Sequence, residues 1–307
     1  MDISVVVPLC NEGAHLREFL SDLKSALRDR VEIVLIDDGS TDDTWTIISE
    51  EAKSNRNLCA LRLSRNFGKE LALCAGLERA RGDAVIVMDG DGQHPTSLLP
   101  AMIETWRTSG VDIVQAVKST RGREPLSEKF GAFLFYLILN KLSPFDLRGA
   151  SDFKLMNRKA VNAWLEMPER NVFFRGMTAW LGFTTAEVPF DVVARRTGKP
   201  GFSFWKRIKL ALVGITSFST FPLHLVTLTG VLVFFFSLVL GIQTLYKKLS
   251  GQAVTGFATV ILLELIIGSL LMVSLGIIGE YLARIYEEVK GRPRYVVREA
   301  IEPTSSS

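Results

Sequence analysis

Asp89 and Asp91 flank a single glycine just past the apolar run Ala84 to Met88, inside the stretch Ala84 to Pro95. Two carboxylates this close repel unless something positive lies between them. A divalent cation with oxygen ligands is the natural neutraliser, and such an ion in turn takes the oxygens of a diphosphate. Asp-Gly pairs are also common turn formers, so the triplet alone decides little. Its place behind a buried strand gives it weight, because ligands of an open parallel sheet sit beyond the carboxyl ends of the strands. A second acidic group, Asp37-Asp38-Gly39-Ser40-Thr41-Asp42, closes another apolar run, Val31 to Ile36.

The elements that must carry these acids follow from periodicity. Ile3 to Leu9 is a β-branched run closed by Cys10-Asn11-Glu12-Gly13. Leu16, Phe19, Leu20, Leu23 and Leu27 then recur at the three-and-four spacing of one apolar helix face. Thr41 or Asp42 is placed to cap a second helix. Leu58 to Leu63 reads as a third strand, Lys69 to Arg81 as a third helix, and Asp83 to Met88 as the fourth strand. Thr96 or Ser97 opens another helix, and Asp112 to Val117 is a fifth strand. This alternation predicts a doubly wound α/β sheet.

With 307 residues the chain holds one large domain or two ordinary ones. A net charge of +3 gives no reason to expect a nucleic-acid partner. Cys10, Cys59 and Cys74 lie far apart in apolar surroundings without metal-ligand spacing, which predicts free thiols in a reducing compartment. The strand-like run at Ile3 follows no basic leader, so the front end is expected in the cytosol.

Beyond residue 120 the rhythm changes. Phe130 to Leu139 is an apolar segment too short to cross a bilayer, which needs about 20 residues. It reads either as a buried helix or as one lying in the membrane interface, over about 127–142. Phe204 to Phe218 mixes Trp205, Ile208, Leu212 and Ile215 with Lys206, Arg207 and Lys209, a basic amphipathic pattern suited to an anionic surface. Leu223 to Leu245 and Gly256 to Ile278 are both long enough to span. Glu264 is the one acid within them, roughly 12 Å from the second span's start, where a lysine of the hairpin loop or a neighbouring subunit is the expected partner. Six basic residues lie between Arg195 and Lys209 and five between Arg284 and Arg298, against Lys247 and Lys248 in the hairpin loop. The positive-inside rule then puts both flanks in the cytosol. The expected organisation is a catalytic domain over 1–202, a juxtamembrane helix over 203–221, two spans over 222–283 and a cytosolic tail over 284–307.

Taken together, Val-Val-Pro-Leu-Cys-Asn-Glu at the start, Asp37 to Asp42, and Asp89-Gly90-Asp91-Gly92-Gln93 resemble the family 2 glycosyltransferases of GT-A fold. Arg65-Asn66-Phe67-Gly68-Lys69 and the two-span hairpin narrow the resemblance to the polyprenyl-phosphate glycosyltransferases, relatives of dolichyl-phosphate mannose synthase. The nearest subgroup is the bacterial bactoprenyl glucosyltransferases, and the likeness runs from Met1 to about Arg298. It implies a mixed-sheet GT-A domain followed by interfacial helices and a transmembrane hairpin in a bacterial inner membrane.

The resemblance also implies roles. Pro8, Glu12, Asp37, Asp38 and Lys69, with Asp89, Gly90 and Asp91, would hold the nucleotide sugar. Asp89, Asp91 and Gln93 would reach Mg²⁺ or Mn²⁺ on the donor diphosphate. Asp152 aligns with an acid proposed as catalytic base, and its alternative role is to orient the acceptor. Arg175 and Trp180 fall in a segment that lines the acceptor side, with packing the expected job of Trp180. His94 reads as a turn residue before Pro95 rather than a metal ligand. The acceptor is a lipid phosphate such as undecaprenyl phosphate, and cations beside the membrane-directed segments suit it: Lys118, Arg121, Arg123 and Lys129, then Arg195, Arg196 and Lys199. The subgroup's Arg-x-x-Gly-x-Ser-Lys-Tyr pattern is broken here, with Gly201 where lysine is expected. UDP-glucose is the first-choice donor, ahead of GDP-mannose and UDP-N-acetylglucosamine.

A processive polysaccharide synthase shares the domain, but it needs more spans and usually a Gln-x-x-Arg-Trp motif. A non-catalytic nucleotide sensor predicts erosion of the metal-binding acids, and both are intact. Small residues at Gly268, Ser269, Gly276 and Gly279 allow close helix packing, so a homo-oligomer is expected, with a tetramer the family's suggestion.

Overall fold

A computed structural model describes residues 2–27, 31–118, 151–190, 221–251 and 256–303. The apolar runs become the strands of one eight-stranded sheet. β1 (Ile3–Leu9), β2 (Val31–Asp37), β3 (Leu58–Leu63) and β4 (Ala84–Val87) are its parallel centre. Their side chains are buried on both faces, as near-continuous Val, Ile and Leu require. β5 (Ile113–Lys118), β6 (Lys154–Asn157), β7 (Thr185–Phe190) and β8 (Val297–Ile301) complete the order β7-β5-β6-β4-β1-β2-β3-β8.

Helices cover both faces. α1 (Gly13–Ala26), α2 (Thr44–Ser54) and α4 (Leu99–Ser109) share a core with Val5, Val7, Ile33, Leu35 and Ile86. Leu16, Phe19, Leu20 and Leu23 are the buried face of α1, and Leu27 is the residue that ends it. On the opposite face runs α3 (Lys69–Arg79), approaching so closely that a Cβ on Gly76 would lie 2.4 Å from Val6 Cγ1. α3 stops two residues short of the expected Arg81, and a 3₁₀ turn, Thr96–Leu98, precedes α4. α5 (Arg158–Leu165) and α6 (Phe174–Trp180) follow β6.

The sheet is mixed rather than purely parallel. β6 runs antiparallel to both β4 and β5, and its register pairs Val87 with Lys154. The residues just before β6 therefore arrive at the same sheet edge as the residues just after β4. That reversal carries Asp152 to the acids.

Residues 208–291 form a second compact unit. Its α7 (Phe221–Leu249) and α8 (Phe257–Val289) have 29 and 33 residues, or about 43 and 50 Å at 1.5 Å per residue, against about 30 Å of bilayer hydrocarbon. Both are long and apolar enough to cross a membrane, with mean hydropathies of 2.5 and 2.0 in their apolar stretches. Phe234, Phe235, Leu265 and Met272 stay exposed, so these helices have no core of their own to fill.

The stretch 284–307, expected as a plain tail, has two parts. α8 continues to Val289, and residues 292–303 belong to the unit that holds the sheet, where Val297–Ile301 pairs antiparallel with β3. Alternating Val297, Arg298, Glu299 and Ala300 lack a hydrophobic run, which hides the strand in the sequence. The expected interfacial segment 127–142 lies outside the described residues, as does the expected juxtamembrane helix 203–221 except for its last residue, Phe221, which begins α7.

Candidate active site

The carboxyl ends of β1, β2 and β3 are tied into one cradle by backbone donors. Asp37 Oδ1 accepts from Ser40 N at 3.0 Å, closing the turn after β2. Ser40 Oγ accepts from Asn11 N at 2.9 Å, and Asn11 Oδ1 accepts from Thr41 N at 2.9 Å. Asn11 has φ +58°, a left-handed conformation that asparagine tolerates. Asp38 accepts from Phe67 N at 2.7 Å and from Gly68 N at 2.8 Å, which fastens the β2 turn to the Arg65–Gly68 loop. Burial raises the Asp38 carboxyl above its usual range against those two donors. Gly39 has φ +66°, and a Cβ there would sit 2.4 Å from the backbone carbon of Arg65. Only glycine fits.

Helix starts are bound into the same cradle. Glu12 precedes α1, and its N–H donates to Thr44 Oγ1 at 3.0 Å. Asp42 accepts from Gly13 N and Thr44 N, both at 3.0 Å, so it serves the starts of α1 and α2 together. Asp43, not Thr41 or Asp42, occupies the N-cap position of α2, because the helix begins at Thr44.

The other half of the site is a cluster of charges. Lys69, first residue of α3, places Nζ 2.7 Å from Asp89 Oδ1 and 2.7 Å from Asp152 Oδ2. Arg175 on α6 donates through Nε to Asp152 Oδ1 at 2.6 Å and through Nη2 to Oδ2 at 2.8 Å. Burial alone would raise the Asp152 carboxyl, yet Arg175 and Lys69 hold it well below the usual carboxylate range. Burial would likewise lower the Lys69 ammonium, but Asp89 and Asp152 raise it. Behind them Glu70, which accepts from Phe174 N at 2.9 Å, is pushed up to about 7 by burial and by Asp152. Lys154, 2 % exposed in β6 and 5.3 Å from the Phe174 ring, is lowered to about 8 by burial.

The acidic loop after β4 is itself braced. A Cβ on Gly90 would lie 2.3 Å from Leu9 Cδ2, and Gly92 has φ +75°. Asp91 Oδ1 accepts from Gln93 N at 3.0 Å. His94 Nδ1 accepts from Asp89 N at 3.0 Å while its ring stacks on Phe153 at 4.7 Å. Burial lowers the His94 imidazole, consistent with the neutral form that this acceptor role requires. His94 is thus a turn residue that holds Asp89.

Asp37, Asp38, Lys69, Asp89 and Asp152 are interlocked along one sheet edge, with Pro8 and Glu12 at the end of β1, and Gly90, Asp91 and Gln93 after β4. Lys118 ends β5. Arg121, Arg123, Lys129, Arg195, Arg196 and Lys199 lie outside the described residues. Trp180, expected to pack, is 61 % exposed, since it is the last residue of the short α6. Sequence reasoning gave no role to Glu70, Lys154 or Ser40. A lysine inside Phe153-Lys154-Leu155-Met156 was the available signal for Lys154.

The donor set suits a hard divalent cation. Asp89 and Asp91 offer carboxylate oxygens, and Asp89 Oδ1 is a buried atom without a hydrogen bond, 2.7 Å from the Lys69 ammonium. Among the described residues no group of three acids, histidines or cysteines gathers to hold a metal. A cation here would therefore draw its remaining ligands from phosphate oxygens and water, the usual habit of Mg²⁺.

The class of protein follows from fold and edge together. The chain superposes with a TM-score of 0.50 on a structure of TarS from S. aureus in complex with UDP-GlcNAc, at 20% identity over 71% of this chain and 67% of that one. It matches a Pyrobaculum calidifontis mannosyltransferase in complex with GDP-Man and Mn²⁺ equally well, at a TM-score of 0.50 and 22% identity over 70% of this chain and 63% of that one. The fold is the GT-A glycosyltransferase fold. Residues 4–165 match the model of glycosyl transferase family 2. A Shigella flexneri protein named SfII prophage-derived bactoprenol glucosyl transferase is 39% identical over 98% of both chains. An Escherichia coli K12 protein named prophage bactoprenol glucosyl transferase homolog is 40% identical over 97% of this chain and 99% of its own. The chain belongs to glycosyltransferase family 2, and it is a glycosyltransferase.

Proposed function

We propose that the protein moves one sugar, glucose, from UDP-glucose to undecaprenyl phosphate at the cytosolic face of a bacterial inner membrane, with inversion at the anomeric carbon. The observation that carries this reading is the cluster of Lys69, Asp89, Asp152 and Arg175 at the carboxyl edge of a family 2 sheet. Relatives that align nearly end to end carry the bactoprenol glucosyl transferase name, and they support the choice of acceptor and sugar.

The nucleotide lies against the ends of β1, β2 and β3, whose turns are already fixed by Asp37, Asp38 and Asn11. Asp89 and Asp91 would hold Mg²⁺ or Mn²⁺ beside the diphosphate, and such an ion would supply positive charge to offset that on the departing UDP. A lipid phosphate oxygen attacks the anomeric carbon from the face opposite UDP. A new carbon–oxygen bond forms as the bond to the UDP phosphate breaks. A phosphate monoester has a second pKa near 6, so the nucleophile is largely dianionic at neutral pH. It needs alignment more than deprotonation.

Asp152 fits that need as an orienter. Both its oxygens are already engaged by Arg175 and Lys69, and its depressed pKa makes it a weak proton acceptor. It fixes two cations whose exposed faces meet the acceptor phosphate. Lys118 and the basic residues of 121–129 and 195–199 supply further cationic guidance. The two long helices anchor the enzyme in the leaflet that holds its acceptor, with the more basic flanks, and hence both termini, in the cytosol. Gly268, Gly276 and Gly279 meet no other atoms near their Cβ positions, which leaves room for helices of other copies in a tetramer.

Incubating purified protein with undecaprenyl phosphate, Mg²⁺ or Mn²⁺, and labelled UDP-glucose, GDP-mannose or UDP-N-acetylglucosamine tests the proposal. Label should enter the lipid fraction from UDP-glucose. Label that stays in the aqueous phase with every donor would sink it.

A further inference from the structure

The chain departs from its sheet after β7, forms the membrane-length hairpin, and then returns to supply the edge strand β8. Arg294 donates to the Met167 carbonyl and Tyr295 to Glu78, so the return is anchored before β8 begins. Within β8, Glu299 is the residue paired with Arg62 of β3. Its Oε2 accepts from Trp45 Nε1 at 3.1 Å, and its Oε1 lies 3.3 Å from Arg62 Nη1. The Arg62 guanidinium sits 5.6 Å from the Trp45 ring centre and turns Nε toward Asp37 Oδ2 at 3.3 Å. Asp37 is fully buried, and Oδ2 has no hydrogen bond of its own.

We propose that Glu299 is a positioning residue for the nucleotide cradle, acting through Arg62 on Asp37. Resting on the functional reading above, it assigns the segment after the hairpin a part in donor binding. The physical reason is orientation. A guanidinium presents its donors in a fixed fork, so the group that occupies Nη1 decides where Nε points. Glu299, itself fixed by Trp45, turns Nε inward. Released from Glu299, Arg62 gains access to solvent-facing rotamers and Asp37 loses its cation. A buried carboxylate deprived of its partner is costly, and the Asp37 turn, which carries Ser40 and through it Asn11, loosens.

Calorimetric titration of UDP-glucose into the purified full chain tests this. Glu299→Gln keeps an acceptor for Trp45 but removes the negative charge that faces Arg62. It should weaken UDP-glucose binding by about three- to tenfold, the range for losing one ordinary hydrogen bond, because the effect reaches the cradle indirectly. The KM for the lipid acceptor should stay unchanged, while the thermal midpoint should fall, because the buried Asp37 loses its cation. In an Arg62→Ala background the same substitution should add nothing, since coupled residues are non-additive. Glu302→Gln, which alters only surface pairs with Arg79 and Arg81, should bind as wild type does. Unchanged affinity in Glu299→Gln, or an equal loss in both backgrounds, overturns the inference while leaving the function standing. No UDP-glucose binding by the wild-type chain removes both.

Discussion

The two halves of the active edge are built by different means. At the nucleotide end, carboxylates spend themselves mainly on backbone N–H groups: Asp37 on Ser40, Asp38 on Phe67 and Gly68, Asp42 on Gly13 and Thr44, with Arg62 beside the second oxygen of Asp37 as the exception. At the transfer end, carboxylates face cations: Asp89 and Asp152 on Lys69, and Asp152 on Arg175. The first arrangement fixes shape and leaves loops little freedom. The second stores opposed charges in a half-buried place, where an incoming anion or cation can exchange partners with them. A donor whose nucleotide part is invariant suits the rigid half, and chemistry that relocates charge suits the other.

Substitutions can break that contrast in graded steps. The largest effect is expected from Asp91→Asn, which takes the negative charge off one of the two carboxylates proposed to hold the cation. Transfer should fall at least about a thousandfold with the protein still folded and inserted, as measured by label entering lipid and by circular dichroism. Retained turnover would dissolve the metal assignment.

Gly39→Ala attacks the rigid half. The added Cβ meets the Arg65 backbone at 2.4 Å on a residue with φ +66°, so a stability loss of about 2–4 kcal/mol is expected. Thermal unfolding and UDP-glucose affinity should both suffer. A variant that binds normally would show the cradle to be softer than its hydrogen bonds suggest.

Asp152→Asn attacks the charged half more gently. If Asp152 orients cations, the loss should be about ten- to a hundredfold, mostly in the KM for undecaprenyl phosphate. A collapse of kcat with unchanged KM would return the residue to the role of base.

The smallest effect concerns Glu70. Its folded pKa, about 7, lies above the 4.5 of the free side chain. The folded state therefore holds the proton more tightly, and that contribution, full below about pH 4.5, is lost as pH rises through 7. Wild type should lose on the order of 1 kcal/mol across this window more than Glu70→Gln, which can still accept from Phe174 N. Thermal midpoints at pH 5 and pH 8 measure it. Parallel curves would mean that Glu70 is wetter than its surroundings imply.

Much of the fold was legible because the central strands are long β-branched runs with acids at their ends. Ile3–Leu9 and Leu58–Leu63 are strands with the bounds that periodicity predicts. β6 and β8 were not legible. Lys154–Asn157 has four residues with a buried lysine at its head, and β8, an exposed edge strand, mixes polar Arg298 and Glu299 with Val297, Ala300 and Ile301 and so shows no clean alternation. The long helices announce themselves by hydropathy alone. In the site, the acids were visible as types and spacings, but their partners were not.

Local chemistry written in the chain determined where strands end, which acids stand at those ends and which segments are apolar enough to enter a bilayer. These depend on residues within a few positions of one another. Tertiary structure alone decided that Asp152 meets Lys69, 83 residues away, and that Glu299 reaches Trp45 across 254. Such pairings arise from strand order and direction, the antiparallel β6 and the returning β8, and no local pattern encodes them.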